Sequence, residues 1–166
     1  MNTNKFEPPV EDFEGRTRAN FAAQAVMETF GASLTEIRPG EAIIEMDFDP
    51  RLTQQHGFLH AGVVTTVLDS ACGYAAFSLM PDGAEVLTVE FKSNFTAPAI
   101  GDRFRFEGRV INAGRTLMVT EGRAYALRDG IEDKLVSSMA ATMMVVKGRP
   151  DVQPPDVEDD DEDEDD

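Results

Sequence analysis

Asp69 is the only charged residue between Ala61 and Pro81. Such a carboxylate is costly to desolvate unless it is paired or lines a wet site. It is either a hydrogen-bonded aspartate on one helix face or a catalytic carboxylate with a shifted pKa. Upstream, Gln54-Gln55-His56-Gly57-Phe58-Leu59-His60-Ala61-Gly62 runs from a polar, glycine-containing loop into the apolar stretch, with His60 and Gly62 at the helix entrance. His60 and Asp69 are nine positions apart, so on one helix they lie about 13 Å apart on opposite sides. They cannot act on one carbonyl from the same helix. A functional pairing of the entrance with Asp69 therefore requires two copies of the helix to meet, which predicts a homodimer with shared sites.

Other reactive side chains point to blander roles. His56 and His60 are four apart but not on one helix, and no cysteine or acidic cluster completes a ligand set, so no metal site is expected. Cys72 is the single cysteine and lies in the apolar helix without a neighbouring His or Lys in sequence; it reads as a small core residue. Six arginines (Arg103, Arg105, Arg109, Arg115, Arg123 and Arg128) fall between 102 and 128, opposed by Asp102, Glu107 and Glu121. Most suit a solvated sheet face with ion pairs.

The elements that position these groups follow from the pattern. Phe21, Ala22, Ala25, Val26 and Thr29 predict a helix over 17–30 that stops at Gly31. Strands over 33–38 and 41–48 flank the Pro39-Gly40 turn. A helix over 60–80, apolar nearly all round, must be buried on most sides and ends before Pro81-Asp82-Gly83. Strands follow over 84–97, 102–111, 116–127 and 133–146, separated by turn residues such as Asn112-Ala113-Gly114 and Asp129-Gly130. In the second of these, Phe104, Phe106, Gly108 and Val110 alternate with Arg103, Arg105, Glu107 and Arg109, the pattern of a strand buried on one side. The fold class is α+β, a curved antiparallel sheet wrapped around one long helix.

Composition bounds the rest. The 166 residues favour one domain, read as a mobile arm over 1–15, a folded domain over 16–147 and an acidic tail over 148–166. Eleven of the 31 acidic residues, and no base, lie in 151–166, so of the net charge of −16 only −5 belongs to the remainder. Mutual repulsion and scarce apolar residues predict a disordered, solubilising tail. No dominant basic patch suggests nucleic-acid binding, and the apolar stretch, broken by Asp69 and Gly73, is a poor membrane span. No signal peptide is evident, and a cytoplasmic location is expected.

The His60-Ala61-Gly62 entrance, the apolar turns after it and Leu68-Asp69 resemble the His-Gly-Gly…Asp signature of the PaaI-type acyl-CoA thioesterases, in the hotdog-fold hydroxybenzoyl-CoA thioesterase superfamily. The resemblance extends through Leu87-Thr88-Val89-Glu90-Phe91, Ala97-Pro98-Ala99-Ile100-Gly101-Asp102 and Gly114-Arg115-Thr116-Leu117, covering roughly 31–146. It implies hydrolysis of an acyl-CoA (aryl or fatty acyl) to acid and CoA, with no cofactor, in a homodimer or dimer of dimers. It implies that the Ala61 and Gly62 amides receive the thioester carbonyl, which suits the positive end of a helix. Asp69 from the partner subunit is then nucleophile or general base, with Gln54, His60 and Thr88 orienting the groups. Arg115, after the Gly114 turn, is the first candidate for the CoA phosphates. Ala61 stands where the family has Gly, and Gln54 where it has Asn; a backbone N–H survives the first change and an amide the second. Two alternatives remain: a hotdog dehydratase or hydratase, which needs a His and a carboxylate as an acid–base pair, and a non-catalytic acyl-CoA binding or regulatory module, which has no need of Asp69.

Overall fold

One 17-residue helix, α3 (Ala61–Phe77), is the axis of the structure. Val64, Val67, Leu68, Ala71, Cys72, Ala75 and Ala76 on it are all fully or almost fully buried. The computed structural model describes residues 6–148. Two short helices, α1 (Phe13–Ala22) and α2 (Ala25–Phe30), precede the hairpin of β1 (Ala32–Arg38) and β2 (Glu41–Asp47). After α3 come β3 (Ala84–Phe95), β4 (Arg103–Ala113), β5 (Leu117–Arg128) and β6 (Ile131–Lys147). The strands form one sheet in the order β1-β2-β4-β5-β6-β3, with every neighbouring pair antiparallel. This is the hotdog arrangement, with the helix held in the curve of the sheet.

Two glycines set how closely helix and sheet approach. Gly108 on β4 and Gly122 on β5 pair directly across the ladder beneath α3. A Cβ on Gly108 would lie 2.2 Å from the Ala71 carbonyl oxygen, and one on Gly122 would lie 2.8 Å from Cys72 Sγ. The sheet thus presents a flat seat: a side chain at Gly108 would meet the helix backbone, and one at Gly122 the helix side chains. At its C-terminal end α3 is tied to the first hairpin: the Gly40 amide in the β1–β2 turn donates to Ser78 Oγ at 2.8 Å, and that hydroxyl donates to the Ala75 carbonyl at 2.7 Å.

The N-terminal region differs from the single helix expected over 17–30. The first helix begins earlier, at Phe13, because Asp12 caps it by accepting from the Gly15 amide at 3.0 Å. It then breaks at Gln24, whose backbone is extended (φ −86°, ψ 93°), and whose side-chain carbonyl accepts from Ser70 Oγ on α3 at 3.2 Å. Within the stretch expected as an arm, Phe6 packs against the core. The acidic tail expected from residue 148 lies outside the described residues, Gly148 apart. Among the described residues no helix is long and apolar enough to cross a membrane.

The helix α3 stops at Phe77 rather than running to 80, and Arg16 caps that end. Its guanidinium donates to the carbonyls of Phe77 (2.9 Å), Met80 (3.0 Å) and Pro81 (2.8 Å), and stacks 4.2 Å over the Phe77 ring. A cation here satisfies the carbonyl of the last helical residue, Phe77, and opposes the negative end of the helix dipole. Arg16→Met keeps the aliphatic stem but removes all three donors. It is expected to cost about 2–3 kcal/mol in urea denaturation, the range for losing hydrogen bonds from a charged group at a part-buried site.

Candidate active site

The entrance to α3 is shaped by a tight loop. Thr53 and Leu59 form an isolated antiparallel bridge, the Gln54 amide donates to the Phe58 carbonyl at 2.9 Å, and the Gly57 amide donates to the Gln54 carbonyl at 2.9 Å. Gly57 takes φ 80° at the tip, a left-handed conformation that favours glycine. The Gln54 side-chain carbonyl accepts from the His56 amide, so in this chain it braces the loop. His56 itself is an exposed loop residue. The loop is anchored on one side by the His60 amide donating to the Leu52 carbonyl, and on the other by Leu59 donating to Ala99.

His60 is the N-cap of α3. Its Nδ1 accepts from the Gly62 amide at 2.8 Å, so the ring proton of the neutral imidazole resides on Nε2. Val63 and Val64 donate back to the His60 carbonyl. That leaves the Ala61 N–H without an acceptor among the described residues, at the exposed first position of the helix. Of the two amides expected to receive a carbonyl, Gly62's is committed to the cap and Ala61's is open.

Asp69 projects from the middle of α3 toward β3. Its Oδ1 accepts a hydrogen bond from Thr88 Oγ1 at 2.9 Å, and it forms no ion pair among the described residues. Burial pushes its carboxyl above the usual carboxylate range, while the Thr88 hydroxyl acts in the opposite direction by favouring the charged form. A register shift separates Thr88 from Glu90, so Val89 bulges from the ladder and Thr88 is the last residue to face the helix before the irregularity. The structure therefore brings Asp69 and Thr88 together, and His60, Ala61 and Gly62 together. It does not bring those two sets into one site within a single chain: Asp69 is two helical turns from Ala61, about 12 Å along the axis.

The remaining candidates separate cleanly. Burial pushes the Cys72 thiol up to about 12, so at neutral pH it is a protonated core group. Among the clustered arginines, Arg103 is ion-paired with Glu45 and Asp47, Arg105 with Glu45, and Arg109 and Arg123 with Glu121. Arg115, exposed in the β4–β5 turn, has no ion pair among the described residues. Sequence reasoning did not anticipate the exposed edge of the sheet. β3 is an edge strand whose Val89, Phe91 and Phe95 are each about half exposed (52%, 48% and 47%). Aromatic residues on a strand with alternating pattern were legible; that the strand stands at the sheet's edge was not.

The comparisons agree with this architecture. The sequence model of the thioesterase superfamily matches residues 56–132, which span the helix entrance, α3, Asp69 and Thr88. A crystal structure of a thioesterase family protein from Silicibacter pomeroyi is 54% identical, with a TM-score of 0.80, and the match covers 82% of this chain and 99% of that one. The E. coli PaaI protein, from the phenylacetic acid degradation operon, shares the fold at 17% identity, with a TM-score of 0.74 over 84% of this chain and 97% of that one. A 1,4-dihydroxy-2-naphthoyl-CoA hydrolase from Listeria monocytogenes is 26% identical over 125 residues, or 75% of this chain and 98% of that protein. With a lone desolvated carboxylate on the central helix and an open amide at its entrance, the chain belongs to the thioesterase superfamily.

Proposed function

We propose that this thioesterase hydrolyses acyl-CoA thioesters to the free acid and CoA, at a site completed by a second copy of the chain. The observation that carries the reading is the Asp69–Thr88 pair: a half-buried carboxylate with one hydroxyl aimed at it and, among the described residues, no cation to neutralise it. Structure alone would replace such a group by an apolar one. The thioester carbonyl rests on the Ala61 N–H of one subunit, where the helix dipole adds to the hydrogen bond as negative charge develops on oxygen. Asp69 of the other subunit removes a proton from the attacking water, or attacks the carbonyl itself to form an anhydride that water opens. Either route breaks the C–S bond, releases the CoA thiol and requires an ionised Asp69.

Two observations support the shared site. Ala61 and Asp69 are too far apart to act together within one chain. The free edge of β3 offers unpaired backbone groups beside exposed aromatic residues, the kind of edge that natural proteins cover. A second β3 pairing there extends the sheet through both subunits. For a further dimer of dimers, Leu117, Met144 and Leu87 lie side by side in register on β5, β6 and β3, each exposed, on the sheet face away from α3. Arg115, with no ion pair among the described residues, is the CoA-phosphate candidate. A CoA-bound substrate and one buried thiol suit the cytoplasm.

The geometry favours hydrolysis over the dehydratase reading. That reaction needs a histidine base, and the His60 Nδ1 lone pair is already occupied by the Gly62 N–H while Nε2 carries the proton. The decisive experiment is thiol release from acetyl-, phenylacetyl-, benzoyl- and decanoyl-CoA. Turnover of at least one is expected. Saturable binding of these thioesters without release from any of them would overturn the proposal and leave a binding module.

Thr88→Val provides a second check. Removing the hydroxyl removes the interaction that lowers the Asp69 pKa, so the carboxyl protonates at higher pH. The acid limb of kcat should move upward, and activity should fall about tenfold, most at the acidic end, consistent with loss of one hydrogen bond to a charged group. An unshifted limb would contradict the Asp69–Thr88 coupling.

A further inference from the structure

Thr88 has one hydroxyl proton and two neighbours that can accept it. Asp69 Oδ1 is 2.9 Å away, and Met143 Sδ is 3.5 Å away. Met143 is fully buried on β6. Its position is written into the ladder, because Met143 pairs directly with Thr88 on β3 and, on its other side, with Met118 on β5. Side chains directly opposite on an antiparallel pair touch, so this row sets two methionines behind the threonine. Met118 is itself 4% exposed, so the row is closed behind Met143, while Thr88 is exposed on its other side.

A thioether is a weak acceptor and an ionised carboxylate is a strong one. With sulfur rather than oxygen or nitrogen behind it, the Thr88 hydroxyl has no competing acceptor on the sheet side.

We infer that Met143 is a positioning residue of the thioesterase site: by filling the space behind Thr88 with a poor acceptor, it commits the Thr88 proton to Asp69. The inference rests on the proposed role of Asp69 in hydrolysis, but the coupling itself is a property of the three side chains. A stronger acceptor placed at position 143 should compete for the proton and weaken its bond to the carboxylate. The Asp69 carboxyl then becomes easier to protonate, since a hydrogen bond to the charged form is what holds its pKa down.

The test reads the Asp69 titration directly, by NMR of protein labelled with 13C at the aspartate carboxyl carbons, with the Asp69 signal assigned by its loss in Asp69→Asn. Met143→Gln carries an amide of similar length into the row. It should raise the Asp69 midpoint by about one pH unit, matched by about a tenfold loss of kcat at the acidic end of the profile. Met143→Leu, which has volume but no strong acceptor, should restore the wild-type midpoint. In a Thr88→Val background, Met143→Gln should have no further effect on the midpoint, because the proton it competes for is gone. The inference is overturned if Gln and Leu move the midpoint alike, if the Gln shift persists without the Thr88 hydroxyl, or if Gln leaves the midpoint where it is. A distinct result, in which the midpoints behave as expected but Asp69→Asn still hydrolyses acyl-CoA at the wild-type rate, would refute the role of Asp69 in catalysis and leave the positioning of its proton standing.

Discussion

Asp69→Asn should lose about a hundredfold or more in kcat while making the folded protein more stable near neutral pH. The first effect follows from the role proposed for the carboxylate: a group acting in the transition state as base or nucleophile contributes at least this much. The second follows from linkage. Burial raises the folded-state pKa of Asp69 above its unfolded value. Between those two values the folded chain holds a proton that the unfolded chain has released, so stability falls as pH rises through that window. Above it the cost of the buried charge is fully present. Asparagine removes the charge, keeps the shape, and can still accept from Thr88. Thiol release and thermal melting at pH 7, compared between variant and wild type, check both halves. A variant that melts lower than wild type, or keeps more than about a tenth of its activity, would contradict this account of the site.

Gly108→Ala is expected to cost about 3 kcal/mol or more, and to do so through the backbone of α3. The added methyl would stand 2.2 Å from the Ala71 oxygen, 2.3 Å from the Ala71 carbonyl carbon and 2.6 Å from the Cys72 nitrogen. None of these can move aside by changing a rotamer, so the helix itself must lift. Gly122→Ala is the internal control. Its methyl meets side-chain atoms, Cys72 Sγ at 2.8 Å and Leu68 Cδ1 and Cγ at 2.9 and 3.0 Å, which have some freedom to turn. That variant should cost less, about 1–2 kcal/mol. Since α3 carries both Ala61 and Asp69, Gly108→Ala should also lower kcat in whatever fraction remains folded. Urea denaturation of the two variants side by side is the check, and equal losses would show that the seat is no tighter at β4 than at β5.

Much of this was legible in the residues. Asp69, alone in charge within an apolar helix, and the polar loop running into His60 were visible from residue type and spacing. So were the succession of strands along the chain and the burial of the helix, because periodicity of two and of about 3.6 residues separates them. The helix break at Gln24 was not, since no glycine or proline marks it; it exists because Gln24 turns to bond Ser70, a contact between distant parts of the chain. The commitment of the Gly62 amide to His60 depends on a rotamer and was equally hidden. Gly108 reads in the pattern as one more inward position of β4, and only the approach of α3 shows why no larger residue fits. Arg16 lies 61 positions from Phe77, too far for any local signal to announce it as the cap of that helix. The pairing of Thr88 with Met143 depends on strand register, which alternation within each strand does not specify.

The central claim is that one site draws on two subunits, and complementation tests it most directly. Ala61→Pro removes the open amide at a position where the first turn of a helix tolerates proline. Asp69→Asn removes the carboxylate. Each variant alone should be inactive. When the two are co-expressed with different affinity tags and the mixed species is isolated, one of its two sites pairs an intact Ala61 amide with an intact Asp69. Thiol release by the isolated mixed dimer should recover to about half the wild-type rate, as two-fold symmetry requires. A mixed dimer as inactive as its parents would contradict the shared site and return catalysis to a single chain.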